Sequence, residues 1–210
     1  YLAYKGRNPA VYIKSPEFRL YAGIALSASF LVALGLYWGG DIGKWGEQIR
    51  LASFQVVSIM TGTGYATADY NLWPSTATGV LFLMMFVGGC IGSTTGNIKV
   101  GRYLILIRRV LIEFNKMVHP KAVITMRYGG RIINEDLVSN VAQFFFLYFM
   151  FLALGVVGLT LLGLDVTSSL TASAACLGNI GPGFAAVGPT QNYSFIPDAG
   201  KYLLSALMLI

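Results

Sequence analysis

The chain has 210 residues, of which 55% are hydrophobic and 11% charged, with a mean hydropathy of +0.64. Soluble domains carry about twice that charged fraction, so the composition excludes an ordinary soluble enzyme or binding module and points to an all-α membrane protein. A net charge of +6 would suit nucleic acid, but the placement of the basic residues follows membrane topology and gives no nucleic-acid footprint.

Residues 1–20 are basic, with Lys5, Arg7, Lys14 and Arg19, and show no cleavable signal-peptide pattern. Tyr21 to Gly40 is free of charge and long enough for the roughly 20 residues of a spanning helix. Gly39-Gly40 and the charged turn Asp41 to Lys44 end it. Leu51 to Met60 is only ten residues, a length that predicts a re-entrant helix sooner than a span. The glycine-rich pentad Thr61-Gly62-Thr63-Gly64-Tyr65 follows, and Asp69 to Pro74 turns the chain back at the outer surface. Ser75 to about Phe114 then returns inward.

That return is interrupted. Gly88-Gly89-Cys90-Ile91-Gly92-Ser93-Thr94-Thr95-Gly96-Asn97 places four small polar residues among four glycines, each glycine costing a helix about 1 kcal/mol relative to alanine. A break in mid-membrane is predicted, below the pentad, where a flexible loop over Gly88 to Gly96 could gate a pore. Close helix packing through small residues is the bland alternative. The stretch Gly92 to Gly96 superficially resembles a phosphate loop but lacks its Gly-Lys-Ser/Thr ending.

The region from Lys99 to Arg131 holds eight of the 15 Lys and Arg residues, so residues 100–136, like residues 1–20, are placed in the cytoplasm. Within it, Ala122 to Arg127, Gly129-Gly130 and Arg131 to Ile133 read as a short hairpin, and His119 as a turn residue. The order then recurs. Leu137 to Leu164 is a span, Thr167 to Leu177 a short helix, Gly178-Asn179-Ile180-Gly181-Pro182-Gly183 a second glycine-rich turn, and Lys201 onward a second inward helix. Ala33-Leu34-Gly35-Leu36 resembles Ala153-Leu154-Gly155-Val156 at an offset of 120, and Gly64 matches Gly181 at 117. These are expected to be parallel, pseudo-symmetric membrane-pore-membrane repeats over residues 21–114 and 137–210, joined by a linker over 115–136.

The candidate ion-binding residues are Thr61, Gly62, Thr63, Gly64 and Tyr65 with Gly178, Asn179, Ile180, Gly181 and Pro182. Potassium filters built from Thr-Val-Gly-Tyr-Gly loops replace the hydration shell of the ion with backbone carbonyls, and the first pentad shares their Thr, Gly and Tyr in order. Gly62, Gly64, Gly178, Gly181 and Gly183 are expected to supply positive φ. Neither turn carries an acidic residue, which favours a dehydrated monovalent cation over a divalent one. Two walls cannot enclose a pore, so two further units are inferred. No Ser/His/Asp set, paired intramembrane carboxylates or metal-ligand spacing is present, and Cys90 and Cys176 read as packing residues. An enzyme and a bound cofactor are therefore not expected; potassium is the expected substrate. A cation-coupled transporter and a non-conducting interaction subunit are the alternatives.

Ser15-Pro16-Glu17-Phe18-Arg19, Thr61 to Tyr65, Gly88 to Lys99, His119-Pro120 and Asn179 to Gly183 together resemble the Trk/Ktr/HKT superfamily of potassium transporters, most closely the bacterial Trk-type pore subunit. The resemblance covers essentially the whole chain. It implies that this is the third and most of the fourth of four repeats, a fragment of a longer pore subunit. It also implies a homodimer with one pore per protomer in the inner membrane, a cytosolic ring of nucleotide-binding regulatory domains as partner, Gly64 and Gly181 as filter glycines, and Gly88 to Gly96 as the loop beneath them. The family's Gly-Arg pair in the last helix is not within the sequence, and potassium over sodium preference is implied by half a filter.

Overall fold

The computed structural model describes residues 15–40, 44–119, 127–128 and 131–210. It is mostly helical. Helix α1 (Pro16–Trp38) begins earlier than the charge-free run, because Pro16 fits the first turn of a helix and Glu17 is tolerated beside its partial positive charge. Helix α2 spans Trp45–Met60 and is 16 residues long, not ten. Its first turn escapes a hydropathy reading because Glu47 and Arg50 are charged, yet both lie exposed and pair at 3.5 Å, while Gln48 and Gln55 turn inward.

Helix α3 (Ser75–Met84) stops before the predicted break. Residues 85–99 are largely non-helical, and the chain resumes as α4 (Val100–Val118). Arg127–Tyr128 and Arg131–Ile132 pair as antiparallel two-residue strands β1 and β2, an exception to the all-α expectation. The remainder of the predicted hairpin (residues 122–126 and 129–130), the turn residues 41–43 and residues 1–14 lie outside the described residues. Helices α5 (Glu135–Leu161), α6 (Val166–Leu177) and α7 (Asp198–Met208) complete the fold. Asp165 caps α6, its carboxylate accepting the Ser168 N–H at 2.9 Å. That backbone hydrogen bond holds the Asp165 carboxyl below its usual range, so the cap persists at neutral pH and is lost as the pH falls through the lowered value.

Packing groups the helices in threes. α1, α2 and α3 pack on one another, as do α5, α6 and α7, and α4 lies against α5 and α1. A 23-residue helix such as α1 is about 34 Å long, sufficient for a hydrocarbon layer. Only 28% of the apolar window in α1 and 22% of that in α5 is buried, far less than the core helix of a soluble protein would be. Leu26, Phe30, Leu154 and Val157 are among the apolar side chains left outside, an exterior suited to lipid. The core runs between the two trios, through Leu36, Met60, Tyr70, Leu81, Leu159 and Ile196.

Gly35 and Gly155, the matching glycines at offset 120, hold equivalent posts. A Cβ on Gly35 would sit 2.9 Å from Thr76 Oγ1 of α3, and one on Gly155 would sit 2.7 Å from Leu207 Cδ1 of α7. Gly35→Val and Gly155→Val should each lower thermal stability, since overpacking costs about 1–3 kcal/mol. Thermal unfolding in detergent checks this against Gly23→Ala, at a glycine with nothing within 4 Å of its Cβ position. Equal melting temperatures for Gly35→Val and Gly23→Ala would overturn the close-packing role.

Candidate functional site

The two predicted turns have one backbone plan. After α2, Thr61 N–H donates to Val57 O, Gly62 N–H to Ile59 O and Thr63 N–H to Ser58 O, at 2.9, 3.1 and 3.0 Å. After α6, Gly178 N–H donates to Ala174 O, Asn179 N–H to Cys176 O and Ile180 N–H to Ala175 O, at 3.0, 3.0 and 2.9 Å. Each donor and acceptor in the second set is 117 residues beyond its counterpart. These are Schellman caps, which require a left-handed residue just past the helix. Gly62 supplies it with φ +66°, and Asn179 supplies it with φ +51°, asparagine being among the few side chains that visit this region readily. Two residues on, Gly64 (φ +72°) and Gly181 (φ +111°) are again left-handed.

Gly178 and Gly183 do not take positive φ, contrary to expectation; Gly178 has φ −85°. Their glycines serve close approach. A Cβ on Gly178 would collide with Asn97 Oδ1, and one on Gly183 would lie 2.8 Å from Val187 Cγ2.

The turns are brought together backbone against backbone. A Cβ on Gly64 would run into Ile180 O and lie 3.2 Å from Pro182 Cδ, and one on Gly62 would lie 3.5 Å from Asn179 O. Each strand leaving its turn is braced. Ser58 Oγ donates to Tyr65 O at 2.6 Å, and Tyr193 OH donates to Gly181 O at 2.7 Å. Tyr65 itself points outward and is 74% exposed. Thr61 Oγ1 and Thr63 Oγ1 are 2.8 Å apart, so the first turn adds hydroxyl oxygens to its carbonyls. Among the described residues, no group of three His, Cys, Asp or Glu side chains converges to hold a metal ion. A cation at the turns would therefore meet neutral oxygens, biased in its favour by the partial negative ends of α2 and α6.

Sequence reasoning missed a seam beyond the turns. Asn71 accepts from Ala185 N–H at 3.0 Å and donates to Ala185 O at 3.1 Å, holding Ala185 at φ +56°. Tyr70 OH donates to Gly183 O, and Thr190 Oγ1 to Asp69 Oδ2. Partners more than 110 residues apart leave no periodic signal.

The glycine-rich loop has a neck and a tip. At the neck, Gly88 N–H donates to Ile98 O at 2.9 Å and Val100 N–H to Gly89 O at 3.1 Å, with Gly88, Gly89, Asn97 and Ile98 buried. Beyond it Ile91, Gly92, Ser93 and Thr94 are exposed, and Cys90 and Thr95 are half-buried. Two charged side chains hold this tip. Lys99 Nζ donates to Ser93 O at 2.8 Å, to Thr95 Oγ1 at 3.0 Å and to Thr95 O. Glu17 Oε1 accepts from Ile91 N–H at 2.5 Å and from Gly101 N–H at 3.2 Å. Gly96 and Asn97 reach the second turn, where a Cβ on Gly96 would lie 2.5 Å from Gly178 O. Below that contact, a cavity of about 550 Å³ is bounded by Gly96, Lys99, Arg102, Tyr148 and Asn179. The loop thus meets the second turn.

Residues 42–210 match the family model of TrkH, described as a cation transport protein. The chain belongs to the TrkH family. This TrkH-family chain is 34% identical over 198 residues to the Trk system potassium uptake protein TrkG of Escherichia coli K12, covering 94% of the chain and 40% of that protein. It is 38% identical over 159 residues to the potassium uptake protein TrkI of Halomonas elongata, covering 75% of the chain and 32% of that protein. The crystal structure of the potassium transporter TrkH from Vibrio parahaemolyticus superimposes with a TM-score of 0.90 at 34% identity, over 99% of the chain and 44% of that structure. The chain therefore spans about two fifths of the length of such relatives.

The clamps on the loop are directly testable. Lys99→Met and Glu17→Ala should each speed amide hydrogen exchange over residues 90–96. Exchange no faster than in the unsubstituted protein would show that neither charge restrains the tip.

Proposed function

We propose that this chain forms part of a potassium-conducting membrane protein. Thr61 to Tyr65 and Gly178 to Pro182 supply two of four walls of a carbonyl-lined filter, and Gly88 to Gly96 is an intramembrane gate. The observation that carries this is the shared backbone plan of the two turns, repeated at an offset of 117 and meeting where Gly64 abuts Ile180. A turn that repeats down to its left-handed positions is the product of one requirement met twice, and a ring of backbone oxygens around an ion is such a requirement. The two packed trios support parallel membrane-pore-membrane repeats, with α2 and α6 as re-entrant pore helices. Irregular backbone in lipid is tolerated only where it is buried in protein or lines a watery path, and both turns and the loop satisfy that condition on this reading. Potassium as the ion rests on the potassium uptake relatives and on the absence of acidic side chains from both turns.

The whole protein would lie in the inner membrane with residues 1–20 and 100–136 cytoplasmic, act as a homodimer, and take its control from a cytosolic nucleotide-binding subunit docked on the basic side. For the filter, ion flux through the full-length protein carrying Gly64→Ser or Gly181→Ser should show reduced potassium over sodium selectivity. Unchanged selectivity in both would overturn the assignment. For the gate, deletion of Ile91 to Thr95 should raise basal flux in the absence of the regulator, and a basal rate equal to that of the intact protein would count decisively against it.

A further inference from the structure

Asn97 stands out from the remaining residues of the loop. Its side chain is 1% exposed, and among the described residues neither Oδ1 nor Nδ2 has a hydrogen-bond partner. A buried polar group in that condition is costly, and natural proteins keep such groups rarely and for a reason. Two glycines border it. A Cβ on Gly88 would come 2.7 Å from Asn97 O and 2.9 Å from Asn97 Cβ, and a Cβ on Gly178 would collide with the amide head at Oδ1. The side chain therefore reaches from the neck of the loop into a slot that opens only because Gly178 has no side chain. Gly178 is the C-cap of α6 and the first residue of the second turn.

We infer that Asn97, the residue directly after the gate, is a positioning residue that braces the second turn against the neck of the loop, so that ion selectivity at the turn depends on a side chain at the base of the gate. This rests on the filter and gate assignments made above. The brace works through shape. Hydrogen bonds across the neck flank Asn97, while the tip beyond it is tied down by Lys99, Glu17 and the Gly89 N–H bond to Thr95 Oγ1, so the tip can move without releasing the turn. The neck is consequently part of the filter's support, and the tip alone is the moving part. At the first turn the glycines face other groups: the loop approaches Gly178 and Asn179, whereas Gly62 and Gly64 face Asn179 and Ile180.

The test uses reversal potentials of the full-length protein under potassium and sodium, a ratio that does not depend on how much protein reaches the membrane. Asn97→Ala should lower potassium over sodium selectivity by about tenfold, within the range of coupling energies between residues in contact. Gly178→Ala should do the same by forcing the amide out of its slot. In the double variant the added methyl fills the space left by the amide, so selectivity should recover toward that of the intact protein. Full selectivity in Asn97→Ala, in a preparation where Gly181→Ser loses it, would overturn the brace and leave the filter standing. Full selectivity in Gly64→Ser and Gly181→Ser as well would bring down the filter assignment itself. Additive losses in the double variant would also overturn the brace, and this arm remains informative if one single variant fails to assemble.

Discussion

Where the two glycine-rich turns meet, backbone lies against backbone, and the rest of the structure is arranged around that approach. A methyl group on Gly64 would occupy the space of Ile180 O, and one on Gly178 the space of the Asn97 amide. Contacts this close leave no room for side chains to mediate between the turns. Each turn must therefore be held from its own helix. Identical Schellman caps do this at the ends of α2 and α6 by satisfying carbonyls that would otherwise be orphaned. Helix end, cap and turn form one rigid unit, made twice and set face to face.

The two units differ in how they are supported. Helix α6 is buried almost throughout, Ser168, Ser169, Ala172, Ser173, Ala174 and Ala175 all being enclosed between α5, α7 and the segment after the second turn. Its residues are small because neighbours approach from every side. Helix α2 is buried on one face only, with Phe54 and Val57 exposed, and its turn leans on the second turn. The seam from Asp69 to Asn71 compensates on the far side, tying the first half to Gly183, Ala185 and Thr190. A left-handed alanine costs about 1–2 kcal/mol; the paired hydrogen bonds from Asn71 make that conformation tenable at Ala185.

The glycine-rich loop shows how a broken helix can be kept orderly. Its backbone groups lose their helical partners over residues 85–99 and regain others from a two-bond neck, the Thr95 hydroxyl, the Glu17 carboxylate and the Lys99 ammonium. Charge-assisted bonds of this kind are roughly twice as strong as neutral ones. Both charged groups lie outside the loop tip itself. Glu17 belongs to the first turn of α1, which links the loop to the start of the first span.

Much of this fold was legible in the chain because its main constraints are local. Lipid rewards an uninterrupted apolar run wherever it lies, so the courses of α1 and α5 could be read from hydropathy, and clustered glycine broke the helix within about three residues of where it was expected. The 117-residue offset between the turns was visible as well. Local rules also misled where burial was invisible to them. The charged first turn of α2 hid six of its 16 residues, and Gly178 was assigned a backbone conformation that belongs to Asn179. Only the tertiary structure decided that position 178 must lack a side chain, since Asn97 arrives from 81 positions away to take the space beside Gly178. The same holds for the partners of Glu17 and Asn71. A contact between distant segments carries no period and no propensity, and it comes into being only when the helices have packed.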